Sequence, residues 1–300
     1  MQSIGIDLGT TFIKTSNERI FPSGISENIY QSNNVMKIDN KKYAMGLFSH
    51  KAIFDININK CLNKNARLNF IYALFQEGNG VDCIFQNVIV GLPCSQWKND
   101  ATVKSFKQLL DISDILTVSV NNLEKRILVE NIEVIPEGSS AYYAMDYKKF
   151  EGRKAIILDW GSLTLNQILF SNDEIIDMHT DEFGVLKVYK DMAEAITSKT
   201  GIDVKLEDML EILQFGLFDN SNIIYVDEIV KPIAMDFCRE VYKSLKLKWN
   251  INTIPFILMI GAGSITMHKY LSEDEFVPHA ELQNNAQLLT SIGMNEMVGD

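Results

Sequence analysis

One short pattern occurs twice in this chain, about half its length apart, and it restricts the possible folds more than any other feature. An apolar strand ends at an Asp, a Gly follows two positions later with one or two hydroxyl residues, and the chain returns as a second strand. The first copy spans Ile4–Ser16 around Asp7, and the second spans Ala155–Phe170 around Asp159. Each copy predicts a β-hairpin. Two such hairpins at equivalent positions indicate two related domains.

Strands and helices alternate along the rest of the sequence, which is typical of an α/β protein. The charged stretch 146–154 is the best boundary between two domains, 1–150 and 151–300. Each domain is expected to carry a smaller subdomain, at about 30–85 in the first and about 185–250 in the second. The last helix is a candidate to cross back to the first domain. A ligand is expected in the cleft between the domains, at the carboxyl ends of the strands.

Apolar periodicity and chain-breaking residues predict the individual elements. Buried strands are expected at Asn87–Gly91, Ile127–Val134 and Ile254–Ile260. Helices are expected at Lys64–Glu77, Asn99–Leu110, Pro136–Met145, Val185–Thr200, Leu206–Gln214 and Asp227–Leu247. Pro136 is placed at the first position of its helix, where the missing N–H costs nothing, and Asp227 is interpreted as an N-cap.

The two hairpin turns carry residue types suited to a nucleoside triphosphate. Glycine lets the backbone approach a ligand closely, successive turn N–H groups cage anionic oxygens, and the hydroxyls add donors. The two Asp carboxylates suit a hydrated Mg²⁺, which keeps most of its waters in protein sites. A single Asp-x-Gly is more often a plain turn, but the second copy, with Gly261-Ala262-Gly263 after a third strand, favours a clamp between the domains. The sequence contains neither a Walker A loop nor a G-x-G-x-x-G fingerprint.

The acidic balance of the chain argues against direct DNA binding. Its formal net charge is −11, and non-specific DNA binding depends on basic residues that release counterions from phosphates. The four cysteines and four histidines lack the spacing of metal ligands. The start has neither the basic nor the apolar region of a signal peptide, and the longest apolar run is well short of the roughly 20 residues of a membrane span. We expect a cytoplasmic protein that does not bind membranes.

Three motifs resemble the phosphate 1, phosphate 2 and adenosine motifs of the actin superfamily, in the family's order. They are Asp7-Leu8-Gly9-Thr10-Thr11 with Lys14, Asp159-Trp160-Gly161-Ser162, and Gly261-Ala262-Gly263-Ser264. The segments 88–97 and 134–141 are similar to ParM/StbA-type plasmid segregation proteins, and 281–293 resembles their closing helix. The resemblance implies an actin-like fold: two related α/β domains, each with a smaller subdomain, and a nucleotide cleft between them.

The same resemblance implies roles for individual residues. Asp7 and Asp159 would face the water shell of Mg²⁺, and Glu137 would position the attacking water. Lys14 would reach the β- and γ-phosphates. The other residues expected to bind the nucleotide are Gly9, Thr10, Thr11, Gly161, Ser162, Gly184, Gly261, Ala262 and Gly263. Without the resemblance, Glu137 could be a simple helix-dipole residue and Lys14 a solvated charge.

The resemblance also implies a function. The chain would use Mg-ATP, or alternatively GTP, to polymerise into filaments that hydrolysis to ADP destabilises. Plasmid DNA would be captured through a small ParR-like adaptor protein bound to centromere DNA, in agreement with the net charge. The alternatives are another bacterial cytoskeletal filament, a sugar or metabolite kinase of the same superfamily, and a non-hydrolysing scaffold. Residues 136–141 are a poor version of the kinase sugar-binding pattern, and the presence of Asp7, Glu137 and Asp159 argues against a scaffold.

Overall fold

Two β-sheets with helices packed against them make up the fold in a computed structural model that describes residues 2–48, 56–219, 222–271 and 280–297. The strands are β1 Gln2–Leu8, β2 Phe12–Thr15, β3 Ile20–Pro22, β4 Gly24–Ser26, β5 Val35–Ile38, β6 Lys41–Leu47, β7 Asp82–Leu92, β8 Leu116–Val120, β9 Leu123–Pro136, β10 Lys154–Trp160, β11 Leu165–Ser171, β12 Glu174–Asp181, β13 Leu217–Asp219, β14 Asn222–Ile224, β15 Phe256–Ile260 and β16 Ala280–Leu282. The helices are α1 Ala66–Glu77, α2 Cys94–Trp97, α3 Asp100–Leu110, α4 Ala141–Ala144, α5 Val185–Thr200, α6 Met209–Phe215, α7 Asp227–Lys248, α8 Ala262–Leu271 and α9 Leu289–Glu296. Within the described residues, no helix is long and apolar enough to cross a membrane.

Within the described residues, the first sheet contains nine strands, all from the first half of the chain, in the order β3-β2-β1-β7-β9-β8-β5-β6-β4. Its centre is the parallel trio β1, β7 and β9. These strands read as apolar runs because both of their faces are covered: Ile4 and Val88 are fully buried and belong to one core with Phe70 of α1 and Phe106 of α3. The parallel arrangement brings the carboxyl ends of the three central strands to one edge of the sheet.

In the part of the chain that the structure describes, the second sheet contains five strands in the order β12-β11-β10-β15-β16. The strands β10 and β15 are parallel, and α5 and α7 pack over them through Met192 and Ala234. The two sheets each carry one of the predicted hairpins. In β1–β2, Asp7 stands opposite Lys14, and in β10–β11, Asp159 stands opposite Asn166. The α/β class and the two related hairpins are therefore confirmed.

The last helix, α9, packs against the first sheet. Met294 of α9 is fully buried, and a Cβ added to Gly5 of β1 would overlap its side chain. Ser140, just before α4, donates a hydrogen bond to the Thr290 carbonyl at 2.7 Å. The C-terminal helix thus lies on β1, one of the three central strands of the sheet formed by the N-terminal half.

The predicted helix Pro136–Met145 is wrong. Pro136 ends β9 in parallel register with the end of β7, and the Glu137 N–H donates to the Leu92 carbonyl at 2.7 Å. Gly138 then adopts a φ of +82°, which an α-helix does not accommodate, so that only the short α4 forms. Pairing with β7 outweighs the local helix signal. As a result, Glu137 lies at a strand end rather than at a helix N-terminus.

Two further expectations differ from the structure, while the predicted α1, α3, α5 and α7 are confirmed to within a few residues. The segment 281–293 begins in β16, which pairs with β15, and becomes helical only at Leu289. The N-cap position belongs to Val226, so Asp227 is the first residue of α7 rather than its cap. Its carboxylate instead pairs with Lys269 of α8 at 2.5 Å. In both cases a partner distant in sequence replaces the local interaction.

Candidate functional site

Three carboxylates and two lysines meet where β1, β9 and β10 end. They line one cavity of ≈ 60 Å³, here called the charged cavity, together with the turns of both hairpins. The five side chains are those of Asp7, Glu137, Asp159, Lys14 and Lys60. Three carboxylates that are buried together would repel one another strongly. The two lysines reduce this repulsion because they balance most of the negative charge. Such a concentration of buried charge is characteristic of a functional site.

Asp7 and Lys14 form an ion pair across the first hairpin. Their strands are adjacent and antiparallel, which places Lys14 Nζ 2.6 Å from Asp7 Oδ2. Burial by itself would raise the pKa of Asp7, but the charges of Lys14 and Lys60 outweigh it and hold this pKa below its ordinary value. Burial likewise opposes the charge of Lys14, yet Asp7 and the other carboxylates raise the pKa of Lys14. Both groups are therefore charged at neutral pH.

Asp159 occupies the equivalent position of the second hairpin in a different electrostatic setting. The residue opposite it is Asn166, which carries no charge. Burial, followed by the negative charges of Asp7 and Glu137, raises the pKa of Asp159 to about 7. Asp159 thus changes its protonation state close to neutral pH, where a bound cation would favour the ionised form.

Two glycines with left-handed backbone conformations enclose the Asp159 side chain. Gly138 follows β9, and Gly261 follows β15 with a φ of +84°. A Cβ added to Gly138 would lie 2.8 Å from the Asp159 Cβ, and one added to Gly261 would lie 2.7 Å from Asp159 Oδ1. Glycine is needed at both positions, because any side chain would displace the carboxylate.

Glu137 is held from two sides. Lys60 Nζ binds Glu137 Oε1 and also donates to the Leu8 carbonyl at 2.8 Å. On the other side, Asn166 Nδ2 donates to Glu137 Oε2 at 3.1 Å. Asn166 is oriented because its Oδ1 accepts a hydrogen bond from the Thr180 hydroxyl at 2.8 Å. The carboxylate of Glu137 is therefore fixed between the two hairpins.

The turns of the two hairpins touch each other. Thr11 Oγ1 and Ser162 Oγ are 2.6 Å apart, so they share a hydrogen bond across the cleft. Behind the second turn, α5 begins at Val185 and its first N–H groups bond the carbonyls of Gly161 and Ser162. Gly184 is the N-cap residue of α5. The two turns offer hydroxyl and backbone donors to an anion in the charged cavity.

A second cavity of ≈ 350 Å³, here called the apolar cavity, shares residues of both hairpin turns with the charged cavity. Its wall includes the apolar side chains Phe12, Phe48, Ile56, Val185, Leu186, Tyr189, Leu206 and Leu210. The rings of Phe12 and Phe48 stack with their centroids 5.4 Å apart. A molecule with an anionic end and a flat apolar end would fit the two cavities together.

The structure brings nearly all the predicted site residues together. The charged cavity is lined by Asp7, Gly9, Thr10, Thr11, Lys14, Glu137, Asp159, Gly161, Ser162, Gly261 and Ala262, and the apolar cavity adds Gly263. Gly184 lies behind the second turn and lines neither of these two cavities.

Sequence reasoning missed Lys60 and Asn166. Lys60 stands in a stretch without apolar periodicity, so no local pattern points to it. Asn166 had a usable signal, because it stands opposite Asp159 in the repeat as Lys14 stands opposite Asp7.

Comparison with known proteins agrees with this geometry. Residues 5–139 match the sequence profile of the N-terminal domain of actin-like proteins. The chain has an actin-like fold. An archaeal actin homolog, Ta0583, superimposes on it with a TM-score of 0.83 at 18% identity, covering 100% of this chain and 99% of its own. No curated protein sequence matches the chain significantly.

Filament proteins share this actin-like fold. The structure of a 15-stranded ParM filament from Clostridium botulinum matches with a TM-score of 0.77 at 19% identity, over 98% of both chains. A non-polymerisable quadruple mutant of pCBH ParM matches with a TM-score of 0.78 at 19% identity, over 99% of this chain and 98% of its own. Ta0583 is also known in complex with ADP. At these identities the likeness concerns the fold.

Proposed function

We propose that this actin-like chain is an ATPase whose nucleotide state drives filament assembly, and that it segregates plasmid DNA through a DNA-binding adaptor. The observation that carries the proposal is the meeting of three carboxylates and two lysines beside two hydroxyl-bearing turns. Two domains, 1–150 and 151–300, would close on the nucleotide from either side, each with its subdomain at about 30–85 or 185–250.

The two cavities suggest how ATP would lie. Its phosphates would occupy the charged cavity, where Thr10, Thr11 and Ser162 supply hydroxyls and Lys14 supplies a cation for the β- and γ-phosphates. The adenine would enter the apolar cavity beside Ala262 and Gly263. Stacking and shape dominate in that cavity, so GTP is an alternative substrate.

The residues present fit a hydrated Mg²⁺. Among the described residues no group of three or more His, Cys, Asp or Glu side chains could hold a metal directly, but Asp7 and Asp159 both line the charged cavity. Mg²⁺ is commonly bound through one or two carboxylates together with substrate phosphates and several waters. When bound, it would neutralise the phosphate charge that develops during hydrolysis.

Glu137 is the candidate to position the attacking water. Asn166 holds one of its carboxylate oxygens at 3.1 Å, which restricts the direction of the other. A carboxylate oriented in this way can accept a proton from water as the water attacks the γ-phosphorus.

The proposals of self-assembly and of plasmid cargo are supported by the similar solved structures and by the net charge of the chain. The ParM filament supports a homopolymer, and the net charge of −11 supports contact with DNA through an adaptor rather than directly. The similarity to an archaeal actin homolog favours a second candidate, a cytoskeletal filament without plasmid cargo.

Light scattering after addition of Mg-ATP, with phosphate release and electron microscopy on the same sample, tests the proposal. We expect scattering to rise and then decay as phosphate is released, with filaments visible. If no polymer forms with any nucleotide and ATP is consumed only when a small metabolite is added, the chain is a kinase instead. If filaments form, and a plasmid that carries the gene for this chain is inherited as stably as the same plasmid without that gene, the cytoskeletal candidate is favoured instead.

A further inference from the structure

Lys60 belongs to a different kind of backbone element from the other charged residues of the charged cavity, which lie in strands or directly after one. It lies in a single 3₁₀ turn, Lys60–Leu62, between β6 and α1 rather than in a strand. Gln96 anchors this turn, because its Nε2 donates to the Ile58 carbonyl at 2.7 Å and its Oε1 accepts from the Lys60 N–H at 3.1 Å. The Lys60 side chain crosses from there into the cavity and is only 11% exposed.

The Lys60 ammonium lies beside the first hairpin turn. It donates to the carbonyl of Leu8, immediately before the first turn, and to Glu137. An ammonium has three N–H donors, and the third has no hydrogen-bond partner within the described part of the chain. The same ammonium acts electrostatically on Asp7 and Asp159. It is therefore central to the charged cavity.

The pair between Lys60 and Glu137 conflicts with a catalytic role for Glu137. A carboxylate oxygen that binds an ammonium is occupied, so it is not free to orient a water. A γ-phosphate carries more negative charge than a carboxylate and accepts charge-assisted hydrogen bonds equally well. It can therefore compete with Glu137 for the ammonium.

We propose, on the basis of the proposed ATPase activity, that Lys60 is a further catalytic residue. Its ammonium releases Glu137 and binds the γ-phosphate of ATP instead. The exchange frees Glu137 to orient water only when a triphosphate is present. The water oxygen then bonds to the γ-phosphorus, and the bond from this phosphorus to the β,γ-bridging oxygen breaks with its electron pair left on ADP. The water proton passes to Glu137 and then to solvent, and Lys60 stabilises the charge on the γ-phosphoryl oxygens.

The test compares Lys60→Met with Lys98→Met in the full chain. Lys98 is a matched control because the same charge is lost, while its side chain is 46% exposed and pairs with Asp177 at 3.6 Å, outside the charged cavity. For Lys60→Met we expect kcat for ATP hydrolysis to fall roughly 100-fold. The ratio of ATP to ADP affinity should fall about tenfold or more. Lys98→Met should match the parent, and Lys60→Arg should restore part of the ATP preference.

The affinity ratio separates catalysis from a structural role, because a loosened turn would weaken ATP and ADP alike. Equal kcat and equal ATP preference in Lys60→Met and the parent would overturn the inference. If Lys60→Met does not fold, acylation of Lys60 in the parent chain, followed by mass spectrometry, decides. Stronger protection by a non-hydrolysable ATP analogue than by ADP supports the exchange, and equal protection overturns it. A parent chain that hydrolyses no nucleotide would instead overturn the proposed function.

Discussion

The two hairpins share one backbone pattern, yet they place their carboxylates in opposite electrostatic states. Asp7 faces Lys14 across β1–β2, and its pKa is lowered. Asp159 faces Asn166 across β10–β11, and burial with two neighbouring carboxylates raises its pKa to about 7. The repeated turn fixes where each carboxylate lies, while the residue opposite it decides its charge. A duplicated motif can thus supply one permanent anion and one that titrates.

The largest difference between the hairpins should appear when the lysine of the first is removed. Lys14→Met leaves the Asp7 carboxylate buried with its nearest cation gone. Breaking a buried ion pair costs about 3–5 kcal/mol, so we expect urea denaturation to show a loss of this order at pH 7.

The double variant Asp7→Asn with Lys14→Met provides the control. It removes both charges and should recover most of the lost free energy of unfolding. A single variant as stable as the parent would show that Asp7 is not held by Lys14, and the contrast between the hairpins would disappear.

Glu137 connects the hairpins, since Lys60 links it to the end of β1 and Asn166 belongs to β11. Glu137→Gln keeps the shape of the side chain and removes its basicity. We expect ATP hydrolysis to slow by about 100-fold or more, ADP affinity to change little, and filaments to persist longer. Phosphate release and light scattering on one sample measure hydrolysis and filament lifetime, and a binding titration measures the affinity. Unchanged hydrolysis would remove Glu137 from the reaction.

The repeated hairpins were predictable because their determinants are local. A strand, an Asp, a Gly and a hydroxyl in order specify a turn and the direction of its carboxylate. The same holds for α5, whose apolar face and terminal Gly201 gave the observed bounds, with Gly201 in the left-handed conformation.

The rest depended on partners distant in sequence. Pro136 continues a strand because β7 lies beside it, and the ends of β16 and α9 follow from their packing on β15 and β1. Lys60 reaches Glu137 from 77 positions away in the chain. No local pattern encodes such a contact, so sequence reasoning grouped Glu137 with other residues that line the charged cavity and missed the cation that binds it.

The titration of Asp159 gives stability a pH dependence opposite in sign to that expected from Asp7, whose pKa is lowered. With a folded pKa of about 7 against an ordinary pKa of 3.8, the folded state binds more protons than the unfolded state between these values. Stability therefore falls as pH rises through this range. Asp159 should contribute a loss of about 2 kcal/mol between pH 5 and pH 7.

Urea denaturation of the parent and Asp159→Asn across this range isolates the contribution of Asp159, because other groups titrate in both proteins. The variant should show the flatter profile. Parallel profiles would mean that Asp159 keeps an ordinary pKa and that the two hairpins are electrostatically alike.

The smallest effect concerns the point at which the hairpins are most alike, where Thr11 and Ser162 share a hydrogen bond of 2.6 Å. A neutral hydrogen bond contributes about 1 kcal/mol net. Thr11→Val and Ser162→Ala should each lower the free energy of unfolding by this amount or less, and the double variant should lose little more than either single one. A double-mutant cycle in urea measures the coupling between them. Full additivity would show that the two hydroxyls do not share a hydrogen bond in solution.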